Sequence, residues 1–396
     1  MDLHIRTATA DDLPAMALAD GRAFGVHHSE QDLIDIQPVF DPARFLLACD
    51  GDGRIVGITG DFPFTMTVPG GAALDVPGLS WVSVAVTHRR RGVLGAMMDA
   101  QHHRFVDAGA LVSVLIASES GIYGRFGYGP ATTSREIEID RRRATFRAGV
   151  PDPGGVRLVG STEARAHAPA VHERWRRGTP GALSRSAAWW DLLFLDRESR
   201  RGGYSALFFL AHPDGYASYR VEEGAQRVTV VDLVAATDDA HAALWRVLLG
   251  LDLIETVATG QCPPGDPLPF LLTDPRQVRT VGALDGMWVR LLDVPAALAV
   301  RHYAVEVDAV LEVEDGFLGR GGRFRLRGGP DGAQCERSDA PPDAYTDAAT
   351  LGALYLGGHR ASTLARADTL QAEDPALRRL DVALLTDREP HHGTGF

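Results

Sequence analysis

The feature that most constrains the fold of this chain is a run of three arginines between a strand pattern and a helix pattern. Residues 80–86 are rich in valine and short enough for a β-strand. Residues 92–108 carry apolar side chains at helical spacing. The two are joined by His88-Arg89-Arg90-Arg91-Gly92. Because the first N–H groups of a helix lack intrahelical partners and the dipole is positive there, this turn predicts a pyrophosphate site.

The same turn has a second interpretation, an arginine cluster that is merely solvated at the start of a helix. It is not a Walker loop, because no Gly-Lys-Ser/Thr ending follows, and it lacks the three-glycine fingerprint of dinucleotide-binding folds. Gly92 has no Cβ, which lets the backbone approach a ligand closely. The turn therefore favours a nucleotide-bearing cofactor without identifying it.

Length and composition limit the classes that remain. The 396 residues exceed one ordinary core and predict two or three domains. No apolar run approaches the ~20 residues that cross a bilayer, and no signal-peptide pattern is present, so we expect a cytoplasmic protein. The net charge of −12 disfavours nucleic acid and favours a cationic partner. Cys49, Cys262 and Cys335 are too widely spaced to predict a disulfide framework or a zinc site.

Residues 1–150 show strand and helix patterns in the order of one α+β domain. Asp11-Asp12 opens a helix as capping residues, and Asp50-Gly51-Asp52-Gly53 predicts a hairpin. The strands and the short helix expected around the arginine turn are 5–7, 43–50, 54–68, 111–117, 119–126 (helix) and 134–140.

Two further segments follow the linker Asp152-Pro153-Gly154-Gly155. In residues 151–286 we expect helices at 162–177, 186–196 and 238–252 and strands at 205–221 and 226–235. The pattern changes near Met287. In residues 287–396 we expect strands at 288–294, 305–314, 322–327 and 332–337 and helices from Pro295 and at 346–355.

Three stretches resemble a known family. Val84-x-Val86 followed by Arg89-Arg90-Arg91-Gly92-Val93-Leu94 resembles the acetyl-coenzyme A signature of the GNAT acetyltransferases, with Leu94 where a small residue is usual. Residues 117–132 and 354–364 resemble the Eis (enhanced intracellular survival) branch, and the resemblance spans essentially the whole chain. It implies an α+β fold of tandem GNAT-like acyltransferase domains and a sterol-carrier-protein-like α+β domain. The expected domains are 1–150 (catalytic), 151–286 (degenerate GNAT-like) and 287–396 (sterol-carrier-like).

The resemblance implies direct transfer of an acetyl group from acetyl-coenzyme A to a primary amine. By analogy with GNAT enzymes, the backbone N–H of Val84 stabilises the oxyanion, and Val86 pairs with pantetheine as an added strand would. Ser118 matches a position that contacts the coenzyme. The expected pyrophosphate contacts are Arg89, Arg90, Arg91, Gly92, Val93 and Leu94.

Two groups are expected to transfer protons, one as a general acid and one as a base. The resemblance assigns Tyr123 as the general acid for the departing thiolate; a phenol has a reference pKa of about 10 and is protonated at neutral pH. Tyr128 is the competing tyrosine, and from spacing alone either could be a packed core residue. The resemblance also assigns the C-terminal carboxylate, here on Phe396, as the base. Its alternative is a frayed tail. Gly395 stands where relatives often carry an acidic residue.

The amine cleft is expected to be lined by Trp81 and Ser83 and by the segment that covers it in GNAT folds. That segment contributes Asp20, Phe24, His27 and Glu30, with His28 beside them. Carboxylates there attract polycations. No third ligand with suitable spacing accompanies the two histidines, so we expect no metal.

These observations predict an acetyl-coenzyme A-dependent N-acetyltransferase acting on primary amines of aminoglycoside antibiotics, at one or several positions. Two alternatives are a lysine or polyamine acetyltransferase and a non-catalytic coenzyme A- or lipid-binding protein. For the third domain we favour a scaffold role over lipid binding. Family members assemble as hexamers, so we expect a homo-hexamer, a small cationic amine substrate, no nucleic acid and no membrane span.

Overall fold

The structure is a computed structural model that describes residues 3–222 and 224–396. The chain forms two units whose segments alternate along the sequence. The first unit runs up to Thr132 and also contains Met287–Asp387 and Thr394–Phe396. The second unit consists of Thr133–Gly286 and Arg388–Gly393. A unit is therefore not one continuous stretch of sequence.

The strands are numbered here in chain order. They are β1 His4–Thr7, β2 Leu46–Cys49, β3 Ile55–Thr67, β4 Ala73–Val84, β5 Val112–Ile116, β6 Gly129–Pro130, β7 Thr133–Asp140, β8 Arg157–Val159, β9 Phe208–His212, β10 Gly215–Glu222, β11 Arg227–Ala235, β12 Thr256–Cys262, β13 Val278–Asp285, β14 Met287–Leu291, β15 Val307–Glu314, β16 Gly322–Gly329, β17 Gly332–Arg337, β18 Ala344–Asp347 and β19 Leu370–Ala372.

The α-helices are numbered in the same way. They are α1 Leu13–Phe24, α2 Glu30–Ile36, α3 Val93–Asp107, α4 Ser161–Arg177, α5 Ala187–Leu193, α6 Asp238–Leu249, α7 Leu268–Leu271, α8 Val294–Val300, α9 Ala348–Tyr355, α10 Ala361–Arg366 and α11 Asp374–Leu384. Short 3-10 turns connect several of them, including Val86–His88 and Gly124–Phe126.

The first unit contains two sheets. One has the order β1-β2-β3-β4-β5-β14-β6, and the other has the order β17-β16-β15-β18-β19. Helix α3 packs on the first of these through an apolar stripe that includes Val93 and Met97. Gly57 of β3 permits this approach, because a Cβ there would lie 2.7 Å from the Met97 side chain. Helix α9 of the C-terminal region packs against β14 and β6.

The second unit is built on one sheet with the order β13-β7-β12-β11-β10-β9-β8. Helix α6 carries Leu244, Trp245 and Leu248 into its core. Their spacing of one, three and four residues is the pattern of a helix with one buried face. The unit thus has its own hydrophobic core.

Two predicted strands exist but lie in a different sheet from the one expected. The strand expected to complete the first domain is β7, which pairs with β12 and β13 in the second unit. The strand expected to open the third segment is β14, which pairs with β5 and β6 in the first unit. Period-two alternation predicts that a strand forms, whereas its partner depends on long-range burial. The expectation for these two strands was wrong for that reason.

Smaller differences concern element ends. The single strand expected at 205–221 is the hairpin of β9 and β10, and the helix expected at 238–252 ends at Leu249. The hairpin predicted at Asp50-Gly51-Asp52-Gly53 is confirmed, since β2 and β3 are antiparallel neighbours. The strand expected at 80–86 ends at Val84.

Candidate active site

The site begins where two neighbouring parallel strands separate. Within the part of the chain that the structure describes, β4 and β5 pair only at Gly78–Val114 and Leu79–Leu115. Strand β4 continues beyond these pairs to Val84 and carries a bulge against β3. Trp81 lies in that bulge with a left-handed φ of 53°, which is uncommon for a bulky residue. Bulges bend and twist a strand, so this one directs the end of β4 away from β5.

The bulge also sets the direction of the backbone amide of Val84. The next residue, Ala85, donates its N–H to the Val56 carbonyl oxygen of β3 at 2.9 Å. Consecutive N–H groups of a strand point to opposite edges. The N–H of Val84 is therefore directed away from β3, toward the edge where β4 and β5 separate.

The arginine turn leads from this edge into α3. After the 3-10 turn Val86–His88, Arg90 and Gly92 both adopt left-handed backbone conformations, with φ of 60° and 84°. Among the described residues no side chain caps α3, whose first helical residue is Val93. The first amide groups of the helix are thus free for an anionic ligand, and the arginines beside them are exposed.

A cavity of about 540 Å³ lies along this edge in the first unit. Ten residues that the sequence predicted line it: Phe24, Ser83, Val84, Arg89, Arg90, Gly92, Val93, Leu94, Ser118 and Tyr123. The sequence did not single out Ala23, Val82, His88, Gly95, Glu119, Ile122, Arg125 and Phe126. Glu119, Ile122, Arg125 and Phe126 lie inside the 117–132 motif, so the motif itself was the available signal.

Other predicted site residues lie outside that lining. Val86 is in the 3-10 turn and 64% exposed. Arg91 is exposed. His27 and Glu30 are exposed, the latter at the start of α2. Trp81 packs its ring against Phe45 at 5.7 Å in a cluster of aromatic side chains.

Tyr123 and Tyr128 occupy different environments. The spacing of the sequence alone did not show which of them lies at the site and which is packed in the core. Tyr128 is fully buried, and its hydroxyl lies 2.8 Å from Ser113 Oγ and 2.9 Å from His102 Nε2. Tyr123 lines the cavity, and its hydroxyl has no hydrogen-bond partner among the described residues. Burial and the nearby Glu119 carboxylate raise the pKa of Tyr123 to about 12, so its phenol is protonated at neutral pH.

Asp20 lies behind the cavity wall on α1. Its carboxylate is 3.5 Å from His28 Nε2. Burial raises the pKa of the Asp20 carboxyl, against the opposing effects of His28 and Ser83. Ser83 itself lines the cavity.

The C-terminal residues are packed against protein. In the first unit, the Phe396 ring lies 4.9 Å from the Phe64 ring, and Thr394 is buried. Gly78 of β4 makes room for that ring, because a Cβ there would lie 2.8 Å from Phe396 Cε2. An aromatic side chain thus anchors the end of the chain on β3 and β4, beside the last β4–β5 pairs.

The preceding residues belong to the second unit, where Arg185 is the centre of a buried network. Its guanidinium donates to Asp232 Oδ2 at 2.7 Å, to the Tyr216 hydroxyl at 3.0 Å and to the Gly393 carbonyl oxygen. Leu183 N–H donates to the His392 carbonyl oxygen at 3.1 Å. Residues 391–393 are therefore held by backbone and charge-assisted hydrogen bonds.

Residues 3–222 and 224–396 contain no group of three His, Cys, Asp or Glu side chains placed to hold a metal ion. None of their helices is long and apolar enough to span a bilayer.

Comparison with known families divides the chain into three consecutive segments. Residues 4–131 match a sequence family described as an acetyltransferase (GNAT) domain, and residues 181–291 match a second family of that description. Residues 294–393 match a sterol carrier protein domain. The chain is thus two GNAT domains followed by a sterol carrier protein domain.

Individual relatives extend this result over the whole chain. It is 44% identical to N-acetyltransferase Eis of Mycobacterium tuberculosis over 98% of both chains. It is 41% identical to an uncharacterized N-acetyltransferase of Streptomyces coelicolor over 88% of this chain and 87% of that one. The crystal structure of Eis1 from Mycobacterium abscessus superposes with a TM-score of 0.89 at 33% identity, covering both chains completely. At this similarity and coverage the chain is an acyltransferase and belongs to the Eis family of GNAT N-acetyltransferases.

Proposed function

We propose that this enzyme transfers the acetyl group of acetyl-coenzyme A to primary amines of aminoglycoside antibiotics, at one or several positions, in a direct ternary complex. The observation that carries the proposal is the cavity at the separating β4–β5 edge. It joins an arginine-flanked helix start to a protonated phenol along one wall. A thioester donor with a pyrophosphate in its tail needs the first to bind the pyrophosphate and the second to protonate the departing thiolate.

The donor would be held along that wall. Arg89 and Arg90 supply positive charge, and the uncapped start of α3 supplies amide donors for the pyrophosphate. The Val84 N–H, directed away from β3, would donate to the thioester oxygen. A preoriented donor is most effective where charge develops during the reaction, which here is that oxygen.

The reaction begins when the lone pair of a neutral amine attacks the thioester carbon. A C–N bond forms, and the carbonyl π electrons move to the oxygen near the Val84 N–H. Collapse of this tetrahedral intermediate breaks the C–S bond. The thiolate then takes the phenolic proton of Tyr123, and the nitrogen releases a proton to give the amide. Because the pKa of Tyr123 is raised to about 12, the phenol is available as an acid throughout the neutral range.

The amine would be oriented by two carboxylates in our proposal. The carboxylate of Phe396 would accept the amine proton or orient the ammonium, and the ring anchored against Phe64 would hold it in place. Asp20 would add negative potential behind Ser83. A net charge of −12 favours approach of a polycation. We further propose that the enzyme assembles as a homo-hexamer, which mass photometry would measure.

The test is thiol release from acetyl-coenzyme A with kanamycin, spermidine and a lysine peptide, using untagged protein and a variant that lacks Phe396. We expect turnover with kanamycin that collapses in the variant while circular dichroism shows it folded. Turnover equal in both proteins would overturn the role of the carboxylate. Turnover with spermidine or the peptide alone would overturn the aminoglycoside assignment and keep the transferase.

A further inference from the structure

We infer that the buried pair Arg290–Asp315 positions Tyr123, and that this is how the sterol carrier protein domain contributes to catalysis. The inference rests on the proposed role of Tyr123 as general acid. Arg290 lies on β14, and Asp315 follows β15 in the sterol carrier protein domain. Neither residue lines the cavity, so they are positioning residues rather than catalytic ones.

Arg290 holds the turn that carries Tyr123. The backbone of Tyr123 opens the 3-10 turn Gly124–Phe126, and Arg290 Nη1 donates to the Phe126 carbonyl oxygen at 2.5 Å. Gly127 closes the turn with a φ of 77°, and a Cβ there would lie 1.7 Å from Arg290 Nη1. The guanidinium thus occupies the space that any other side chain at 127 would need.

Asp315 fixes the guanidinium in turn. Arg290 Nη2 donates to both carboxylate oxygens of Asp315, at 2.8 and 3.0 Å. The same carboxylate accepts the backbone N–H groups of Phe317, Leu318 and Arg320, at 3.2 to 3.3 Å. Burial alone would raise the pKa of Asp315, but the charge and hydrogen bonds of Arg290 lower it, so the acid stays ionised.

Apolar packing links the same loop to the turn. The Phe317 ring lies 5.0 Å from the Phe126 ring in an edge-to-face arrangement, and Arg290 lies over the Phe317 ring at 5.5 Å. Arg290 is fully buried and the Asp315 side chain is 6% exposed. Because dehydrating two charges is unfavourable, a buried pair is weak evidence for stability alone. Fixing the geometry of the turn is a role that an apolar pair would not reproduce.

The residues after the turn are held independently. The Tyr128 hydroxyl is fixed by Ser113 and His102, and β6 approaches α9 so closely that a Cβ on Gly129 would lie 1.8 Å from the Ala349 carbonyl oxygen. These contacts leave the 124–126 segment unrestrained, and Arg290 binds this segment at the Phe126 carbonyl oxygen. The position of the Tyr123 phenol therefore depends on the Arg290–Asp315 pair.

The experiment is a double-mutant comparison with acetyl-coenzyme A and kanamycin. Arg290→Met with Asp315→Leu removes both charges, so neither is left buried and unpaired. We expect kcat to fall about 10- to 100-fold, with the KM for acetyl-coenzyme A nearly unchanged, because a small displacement of a catalytic group has effects of that size. The matched control is Arg325→Met with Asp308→Leu, a bidentate but exposed pair in the same domain, which should leave kcat unchanged.

The comparison is then repeated in a Tyr123→Phe background. If the pair acts through the phenol, the double change should have almost no further effect on kcat there, whereas a general structural role would lower kcat equally in both backgrounds. Equal losses would overturn the inference. If the double variant keeps full activity while Tyr123→Phe loses most of its activity, the inference is overturned and the general-acid assignment stands. No loss in Tyr123→Phe would overturn the general-acid assignment and the inference with it.

Arg290→Lys provides a second measurement in case the double variant fails to fold. The lysine keeps a positive charge beside Asp315, but a single ammonium cannot donate both to Phe126 and bidentately to the carboxylate. We expect intact folding and the same direction of change, a lower kcat at a similar KM for acetyl-coenzyme A. Wild-type kcat in this variant would contradict the inference.

Discussion

The two GNAT domains contain the same strand-to-helix crossover, but the residues at the start of the helix differ in charge and in capping. In the first, bulged strand β4 leads through the arginine turn into α3, whose start no described side chain caps. In the second, strand β11 also shifts register against β10. Among the described residues it pairs with β12 only at 227–229 before the two strands separate. It then enters α6 through Ala236 and Thr237. The backbone plan is shared.

The difference lies at the helix start. The Thr237 side chain accepts the Ala240 N–H at 3.2 Å, and Asp238 and Asp239 fill the first turn of α6. A phosphate there would meet two carboxylates and a capped amide, whereas at α3 it meets free amides and arginines. The two helix starts therefore differ in capping and charge through the residues of one turn, on a backbone plan that both domains share.

The largest contrast that we predict between the units is their response to acid. In the second unit, burial lowers the pKa of His172 to about 2, of His391 to about 4 and of His392 to about 3. In the first unit, burial lowers the pKa of His102 to about 3 and also lowers that of His359. A histidine held neutral stabilises the fold above its unfolded pKa of about 6.5, and that stability is lost as pH falls toward the folded value.

At pH 5 the loss is about 2 kcal/mol for each histidine whose pKa in the folded protein is about 2 to 4. Three such histidines lie in the second unit and one, His102, in the first, so the second unit should open first. Hydrogen exchange at pH 7 and pH 5 would measure this, as loss of protection in peptides from 133–222 and 224–286 before those from 3–132. His172→Phe should reduce the acid response of the second unit. Simultaneous opening of both units, with equal pH dependence, would contradict the prediction.

The next largest effect should come from the arginine turn. Replacing Arg89 and Arg90 with alanine would remove the two charge-assisted contacts that we propose for the pyrophosphate. At about 1.5–3 kcal/mol for each contact, affinity for coenzyme A should fall about 100-fold or more. Isothermal titration would measure it. The matched control is Asp238→Ala with Asp239→Ala, which removes the same number of charges from the start of α6. An equal loss in that control would show that the two helix starts do not differ as described.

A smaller effect is expected at Gly92, whose φ of 84° disfavours any side chain. Nothing lies within 4 Å of a Cβ at this position, so Gly92→Ala should cost about 1–2 kcal/mol of stability through backbone strain alone. Gly95 is the control: it lies inside α3 with equal free space, and Gly95→Ala should stabilise by about 0.5–1 kcal/mol. Chemical denaturation measures both, and changes of the same sign would refute the strain argument.

The smallest effect should come from Thr237, which caps α6. Thr237→Ala should lower the free energy of unfolding by about 1 kcal/mol, because the Ala240 N–H loses its partner. Affinity for coenzyme A should not change, since we place the ligand at α3. Denaturation and titration on the same preparation check both statements. A weaker affinity for coenzyme A in this variant would argue that the second helix start also takes part in binding.

Much of the site was predictable because its signals are local. The arginine turn, Gly92 and Tyr123 lie within short motifs, and ten of the predicted residues line one cavity. Val86 lies two residues beyond the end of β4, so its contact with pantetheine stays a prediction. The tyrosines could not be separated by spacing, since the hydrogen bonds of Tyr128 come from Ser113 and His102, which lie 15 and 26 residues away.

Sequence patterns alone were enough to predict the order of segments, the strand–turn–helix with its three arginines and the family to which those motifs belong. These follow from periodicity and residue type over a few neighbours. The tertiary structure decided that β7 and β14 lie in different sheets from those expected, that Trp81 forms a bulge and that Arg290 meets Asp315 beneath the Tyr123 turn. Each of these depends on which distant surfaces are buried together, and no local pattern encodes that choice.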